Sequence, residues 1–123
     1  MLAAKGMYGE ALPEMDKAVA LTRGAAIPMA DLGYVHARLG HREEARRILQ
    51  QLAESAKARY TPALAFAVVH LGLGEHDQAM SWLEKAYQER FNRLAYLRRE
   101  PIWDSLRADP RFFDLLRRIK LPQ

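Results

Sequence analysis

Residues 40–52, GHREEARRILQQL, and residues 74–86, GEHDQAMSWLEKA, repeat one pattern of small, charged and apolar residues at an interval of 34 positions. A third, earlier copy shares the same positions. The recurring sets are a glycine (Gly6, Gly40, Gly74), an alanine (Ala11, Ala45, Ala79) and two apolar positions (Met15, Leu49, Leu83; Ala18, Leu52, Ala86). A fixed interval of this size is typical of stacked-repeat proteins, because each unit buries its apolar face against the next unit.

Helical spacing of the apolar residues predicts pairs of helices joined by short turns. Gly40 and Gly74 stand where such helices end, and Pro28 and Pro62 stand where the following helices begin. No segment alternates polar and apolar residues at a period of two, so strands are not expected. After the last turn of an incomplete helix at residues 1–5, the predicted helices cover residues 9–22, 28–39, 42–56, 61–73 and 76–90.

Two copies also carry one spaced motif. They read Met29-x2-Leu32-Gly33-x2-His36 with Ala45-x3-Leu49, and Ala63-x2-Phe66-Ala67-x2-His70 with Ala79-x3-Leu83. This resembles the tetratricopeptide repeat, whose pattern is W-x2-L-G-x2-Y, then A-x3-F, then Pro. The chain departs from it at the Trp, the Tyr and the closing Pro. Over residues 1–90 the resemblance implies an all-α, right-handed superhelical solenoid with units 6–39 (truncated), 40–73 and 74–90, which binds proteins and has no enzyme activity or cofactor.

The last segment, residues 91–123, is predicted to break the period and to close the array. Asp109 followed by Pro110 predicts a helix start, and apolar residues from Phe112 onward extend that helix over about residues 110–120. An atypical terminal unit is what a stacked array needs at its end. The string from Leu106 to Arg118 is also similar to the C-terminal end of repeat arrays in bacterial signalling proteins. That similarity implies the C-terminal part of a larger bacterial regulatory protein.

Charge and composition limit the other classes of function. The 123-residue chain has no cysteine, which excludes disulfides and thiolate zinc sites and favours a cytoplasmic location. No apolar run approaches the ~20 residues that a bilayer-spanning helix needs. The net charge of +4 comes from the tail, since residues 90–123 hold nine basic and four acidic residues. Binding of nucleic acid or an anionic surface through this basic segment is therefore the alternative function.

A partner is expected in the concave groove that the first helix of each pair lines in this family. The groove stripes predicted from helical geometry are Ala30, Tyr34, Ala37 and Arg38 on helix 28–39, and Leu64, Val68 and Leu71 on helix 61–73. Helix 61–73 is apolar nearly all round, so something is expected to cover it. The cover is the chain's own C-terminal segment, an apolar helix of a partner protein, or a second copy.

Two further expectations concern the other end and the histidines. Ala11, Met15 and Val19 form a face that a preceding helix would cover, which predicts self-association, for example as a homodimer. His36 and His70 occupy equivalent repeat positions, where the family has Tyr, and are expected to pack between helices without binding metal. The sequence offers no paired acid, base or nucleophile, which argues against catalysis.

Overall fold

The structure of the protein is a computed structural model that describes residues 8–58, 60–89 and 101–119. Every regular element in these three ranges is a helix, as predicted. In chain order they are α1 (Tyr8–Leu21), α2 (Ala26–Arg38), α3 (Arg42–Ala58), α4 (Ala63–Gly72), α5 (His76–Gln88), a 3₁₀ helix (Pro101–Leu106) and α6 (Pro110–Arg118). The predictions for residues 1–5, Gly6 and the C-terminal residues after 119 lie outside the described ranges.

The prolines mark helix starts less directly than the sequence suggested. Helix α2 begins at Ala26, two residues before Pro28, so the proline occupies the third helical position. The first four N–H groups of a helix have no partner within it, and this is why a proline fits anywhere in that turn. Pro62 is not the first residue of α4 but its N-cap, with extended backbone angles of φ −59° and ψ 136°.

The turn glycines close α2 and α4 in the same way. Gly40 has φ +88° and Gly74 has φ +77°, in the left-handed region that side chains disfavour. The N–H of His41 donates to the His36 carbonyl at 2.8 Å, and the N–H of Glu75 donates to the His70 carbonyl at 2.9 Å. These bonds satisfy carbonyls at the helix ends and define the Schellman motif. The recurrence at 34 positions therefore repeats a turn geometry as well as a helix face.

Small residues let α2 and α4 pack at close range. A Cβ placed on Gly33 of α2 would lie 3.0 Å from Cγ2 of Val69 and 3.1 Å from Cγ2 of Ile48. The alanines at positions 45, 67 and 79 of the repeat motif are all buried. Together α2 and α3, then α4 and α5, form two successive pairs, with α1 packed on α2. This stack creates one continuous core, which also takes in the 3₁₀ helix and α6.

Helix α6 keeps the repeat interval at its start but not in its buried face. Helices α3, α5 and α6 begin at Arg42, His76 and Pro110, each 34 residues after the previous one. The residue of α6 that corresponds to buried Ala79 is Phe113, which is 61% exposed. Its neighbours Phe112 and Leu115 are buried in its place, so the helix is turned by about one residue, or 100°, relative to α5. In the described part of the tail, the departure from the period is thus a rotation of the buried face of α6 about its helix axis relative to α5.

Candidate partner-binding surfaces

The predicted groove stripe on α4 lies inside the molecule. Leu64, Val68 and Leu71 are 1%, 5% and 3% exposed, and every other residue of α4 except His70 is buried too. This confirms the prediction that an all-apolar helix is enclosed on every side. Leu64, Val68 and Leu71 are therefore not free to receive a partner segment in this conformation.

The stripe on α2 divides into a buried and an accessible half. Ala30 and Tyr34 are buried, and the Tyr34 ring lies against the end of α4, where Gly72 leaves room for it. Ala37 is half-buried and Arg38 is exposed, at the C-terminal end of the helix. Only this end of the predicted groove offers side chains to a partner.

The cover over the core comes from the chain itself. Trp103 of the 3₁₀ helix and Phe112 of α6 are fully buried, with nearly parallel rings whose centroids are 6.3 Å apart. With Ile102, Leu106 and Leu115 they belong to the same buried cluster as α4. Leu97, another apolar residue of the C-terminal segment that was predicted as a possible cover, lies outside the described residues. The 3₁₀ helix and α6 thus complete the core that the repeats begin.

The predicted self-association face of α1 is partly used within the chain. Ala11 is buried, and Met15 and Val19 are half-buried. Leu21 at the end of the helix is 84% exposed, the most exposed large apolar side chain in the described ranges. Accessible apolar surface on α1 is therefore concentrated at its C-terminal end.

The two repeat histidines bond within their own turns. Nδ1 of His36 lies 3.1 Å from Nδ1 of His41, and Nδ1 of His70 lies 2.8 Å from Oε1 of Glu75. Each pair joins the two residues of a Schellman turn whose side chains usually meet through an apolar contact. Both histidines therefore have a polar role in closing a turn, and the His70 side chain, at 14% exposure, is also largely buried. Burial and the nearby His41 lower the pKa of His36 below 6.5.

Glu75 also links the helix pair α2–α3 to the pair α4–α5. Arg46 of α3 pairs with both carboxylate oxygens of Glu75, in the turn between α4 and α5. Hydrogen bonds from Arg46, followed by the contact with His70, lower the pKa of Glu75 to about 2. The carboxylate is thus ionised at neutral pH and ties α3 to the following turn.

Two arginines in the described part of the tail have carboxylate partners on α5. Arg111 pairs with Asp109 and with Asp77 of α5, and Arg118 pairs with Glu84 of α5. Both bridges to α5 join residues 34 positions apart. Since these guanidinium groups hold α6 against α5, the charge of these two arginines is largely balanced within the chain.

A cavity that the sequence did not suggest opens between the C-terminal ends of α3 and α5. It has a volume of about 240 Å³ and lies above the start of α4. Its floor is a stacked pair, Phe66 and Trp82, with ring centroids 4.2 Å apart. The residues that line it are Ala53, Ala56, Thr61, Ala63, Phe66, Trp82, Lys85 and Glu89.

Polar groups sit at the rim of this cavity. The ammonium of Lys85 lies 5.1 Å from the centre of the Trp82 ring, a cation–π distance. Oε1 of Glu89 accepts hydrogen bonds from the Tyr60 hydroxyl at 3.2 Å and from the Ala63 N–H at 3.3 Å. The sequence held one signal for this cavity. Position 53 is Ala, whereas the position 34 residues later is the much larger Tyr87.

The described ranges contain no group of three or more metal-ligating side chains close enough to hold an ion. None of their helices combines the length and the apolar character required to cross a bilayer. In comparisons with known proteins, the family model for the tetratricopeptide repeat matches residues 26–51 and 62–85. No match was found among curated proteins or solved structures.

Proposed function

Because residues 26–51 and 62–85 belong to the tetratricopeptide repeat family, we propose that this chain is a non-catalytic scaffold that binds a segment of a partner protein. The repeats of this family generally mediate protein–protein interaction. The observation that supports this role here is the enclosure of α4, since it fixes α2, α3 and α5 around one buried helix. A surface held in this way loses little conformational freedom on binding.

The groove part of the proposal is limited to the accessible end of α2. An apolar segment that contacted Leu64 or Val68 would first have to displace the chain's own core. Ala37 and Arg38 are accessible without such a change, and Leu39 beside them is 37% exposed. We therefore assign the concave-side contact to these three residues. That the chain is the C-terminal part of a larger bacterial regulatory protein remains a prediction, which rests on the sequence similarity of the tail.

A display library of random linear peptides, selected on the full chain, tests the function directly. We expect enriched peptides that bind with micromolar Kd in fluorescence anisotropy and that shift backbone NMR signals in a compact region of the surface. Arg38→Glu should weaken the binding of any peptide that occupies the concave side. Arg47→Glu, on the outer face of α3, is the matched charge reversal and should leave that binding unchanged. Failure to enrich any peptide above an unrelated helical protein would contradict the proposal.

Self-association is the second candidate, and the exposure of Leu21 favours it. An apolar side chain of this size at the end of α1, beside half-buried Val19, gives a second copy a contact point. Light scattering over a range of protein concentrations should then show a dimer, and Leu21→Asp should return it to a monomer. A monomeric mass at every concentration would exclude this candidate.

A further inference from the structure

We propose that the cavity between α3 and α5 is a docking site for one aromatic side chain, carried by a partner protein in an acidic segment. This inference rests on the proposed protein-binding function and places part of it on the side of the molecule opposite the predicted groove. Its basis is a comparison of Ala53 of α3, which lines the cavity, with Tyr87 at the corresponding position of α5.

The repeat interval identifies the missing side chain. The residue 34 positions after Ala53 is Tyr87 of α5, which contacts α6, whereas Ala53 of α3 lines the cavity together with residues of α5. Tyr87 is half-buried, its hydroxyl reaches the Arg118 carbonyl at 3.4 Å, and the Arg118 guanidinium lies 5.0 Å from its ring centre. At the earlier position the Ala53 methyl group leaves the cavity open. The side chain at the corresponding position of the next helix therefore favours an aromatic ring as the occupant of the cavity.

The size and lining of the cavity agree with a single ring. Its volume of about 240 Å³ lies below the ~300–1,000 Å³ typical of sites for whole small molecules. The wall is apolar, because the methyl groups of Ala53, Ala56 and Ala63 face the stacked Phe66–Trp82 pair. An inserted ring would extend this stack, and aromatic anchors that fill such pockets dominate the energy of many interfaces.

Charge at the rim indicates the flanking residue. Lys85 is exposed and contacts the Trp82 ring, but within the described ranges it forms no ion pair. The neighbouring Lys57 pairs with Glu54, and the Glu89 carboxylate already accepts two hydrogen bonds from neutral donors. A carboxylate from a partner would therefore complement the charge of Lys85 at this rim. An Asp or Glu next to the aromatic residue of the partner would supply that carboxylate.

The test uses the full chain and 4-hydroxyphenylacetate, which joins a phenol ring to a carboxylate, with p-cresol as the uncharged counterpart. We expect 4-hydroxyphenylacetate to shift the NMR signals of the Trp82 indole N–H and the Ala63 amide in a saturable way, and p-cresol to do so more weakly. Ala53→Tyr, which supplies the side chain found at position 87, should abolish the shifts. Ala53→Ser leaves the cavity open and should retain them.

Peptides from the display selection extend the test to protein partners. We expect an aromatic residue next to Asp or Glu among those that map to α3 and α5, and a loss of affinity of at least about tenfold in Ala53→Tyr. If Ala53→Tyr does not fold, Ala56→Leu narrows the cavity from the same exposed face of α3. Probe shifts that are absent, or that persist in the filled variant, would overturn the docking site. If selected peptides still bound the filled variant Ala53→Tyr, the docking site would be wrong but the proposed scaffold function would still hold.

Discussion

Gly72, the last residue of α4, lies directly against the backbone of Tyr34 in α2. A Cβ built on Gly72 would be 3.0 Å from the Cα, the Cδ2 and the carbonyl oxygen of Tyr34. Two of these atoms belong to the backbone of a packed helix, so they cannot move aside as the end of a flexible side chain can. The contact sets how closely the first helices of the two complete repeats approach each other.

We expect Gly72→Ala to reduce the free energy of unfolding by about 1–3 kcal/mol, because the added methyl group overpacks a rigid contact. The measurement is urea denaturation followed by circular dichroism. Gly9→Ala is the matched control, since Gly9 lies in α1 with no atom within 4 Å of the added Cβ. Alanine there should leave the free energy of unfolding unchanged or raise it slightly, because Gly9 is the second residue of the helix. Equal effects of the two substitutions would contradict the close approach.

The pair His36–His41 predicts a loss of stability on mild acidification. The pKa of His36 is lowered by burial first and by His41 second, while Glu44 of α3 and Asp16 of α1 act in the opposite direction. A histidine whose pKa is lower in the folded state contributes stability that is present above pH 6.5 and is lost as the pH falls toward the folded pKa. The midpoint of thermal unfolding should therefore decline from about pH 6.5 downward.

An NMR titration of the His36 ring checks this prediction. We expect a pKa below 6.5 in the natural chain and a higher value in His41→Gln, because the glutamine removes the second imidazole but keeps hydrogen-bonding atoms. An unchanged His36 pKa in His41→Gln would show that the two rings do not act on each other as the structure indicates.

Glu75 predicts a second, more acidic transition. Its folded pKa of about 2 lies below the ordinary value of 4.5, so its contribution is present above pH 4.5 and is lost as the pH falls toward 2. Arg46→Gln should raise the pKa of Glu75 and move this loss to higher pH. At neutral pH it should cost less than about 1 kcal/mol, since Arg46 is half exposed.

Arg47→Gln is the control for Glu75, because Arg47 pairs with Glu44 within α3 and joins no second element. The carboxyl carbon of Glu75, observed by NMR between pH 2 and 6, gives the pKa in each variant. If the Glu75 pKa is the same in Arg46→Gln and Arg47→Gln, the link between α3 and the following turn does not form in solution.

The start of α6 depends on Asp109. Its carboxylate accepts a hydrogen bond from the Arg111 N–H at 2.8 Å, the geometry of an N-cap, and the Arg111 side chain lowers the pKa of Asp109. Asp109→Ala should lower the midpoint of thermal unfolding, and Asp109→Asn should lower it less, since asparagine can also cap a helix. Hydrogen exchange at residues 112–115 should rise in the alanine variant, and unchanged exchange would argue against the cap.

The sequence predicted the features that recur at its own interval. Gly40 and Gly74 end their helices as expected, and the alanines at 45 and 79 are buried. Gly72 was missed because the residue 34 positions earlier is Arg38, so recurrence gave no sign of its importance. The role of Gly72 depends on which helices pack against each other, and the periodicity of the sequence does not specify that packing.

Side-chain partners were harder to predict than helices. Equivalent positions made His36 and His70 look alike, yet one contacts His41 and the other contacts Glu75. The cavity beside Ala53 escaped prediction because its one signal in the sequence is the contrast with Tyr87, 34 residues later. In both cases the informative signal is a difference between two repeats, whereas a period is recognised from the residues that the repeats share.

The complete enclosure of α4 also determines how the array can come apart. In a stacked-repeat protein each unit contributes its own stability and an interface term with its neighbour. Here the apolar helix α4 contacts α2 of the preceding helix pair and α5 of its own pair. Opening either side would expose buried apolar residues of α4, such as Leu64, Val69 or Leu71, to water. We therefore expect the two helix pairs to unfold together, as one cooperative unit.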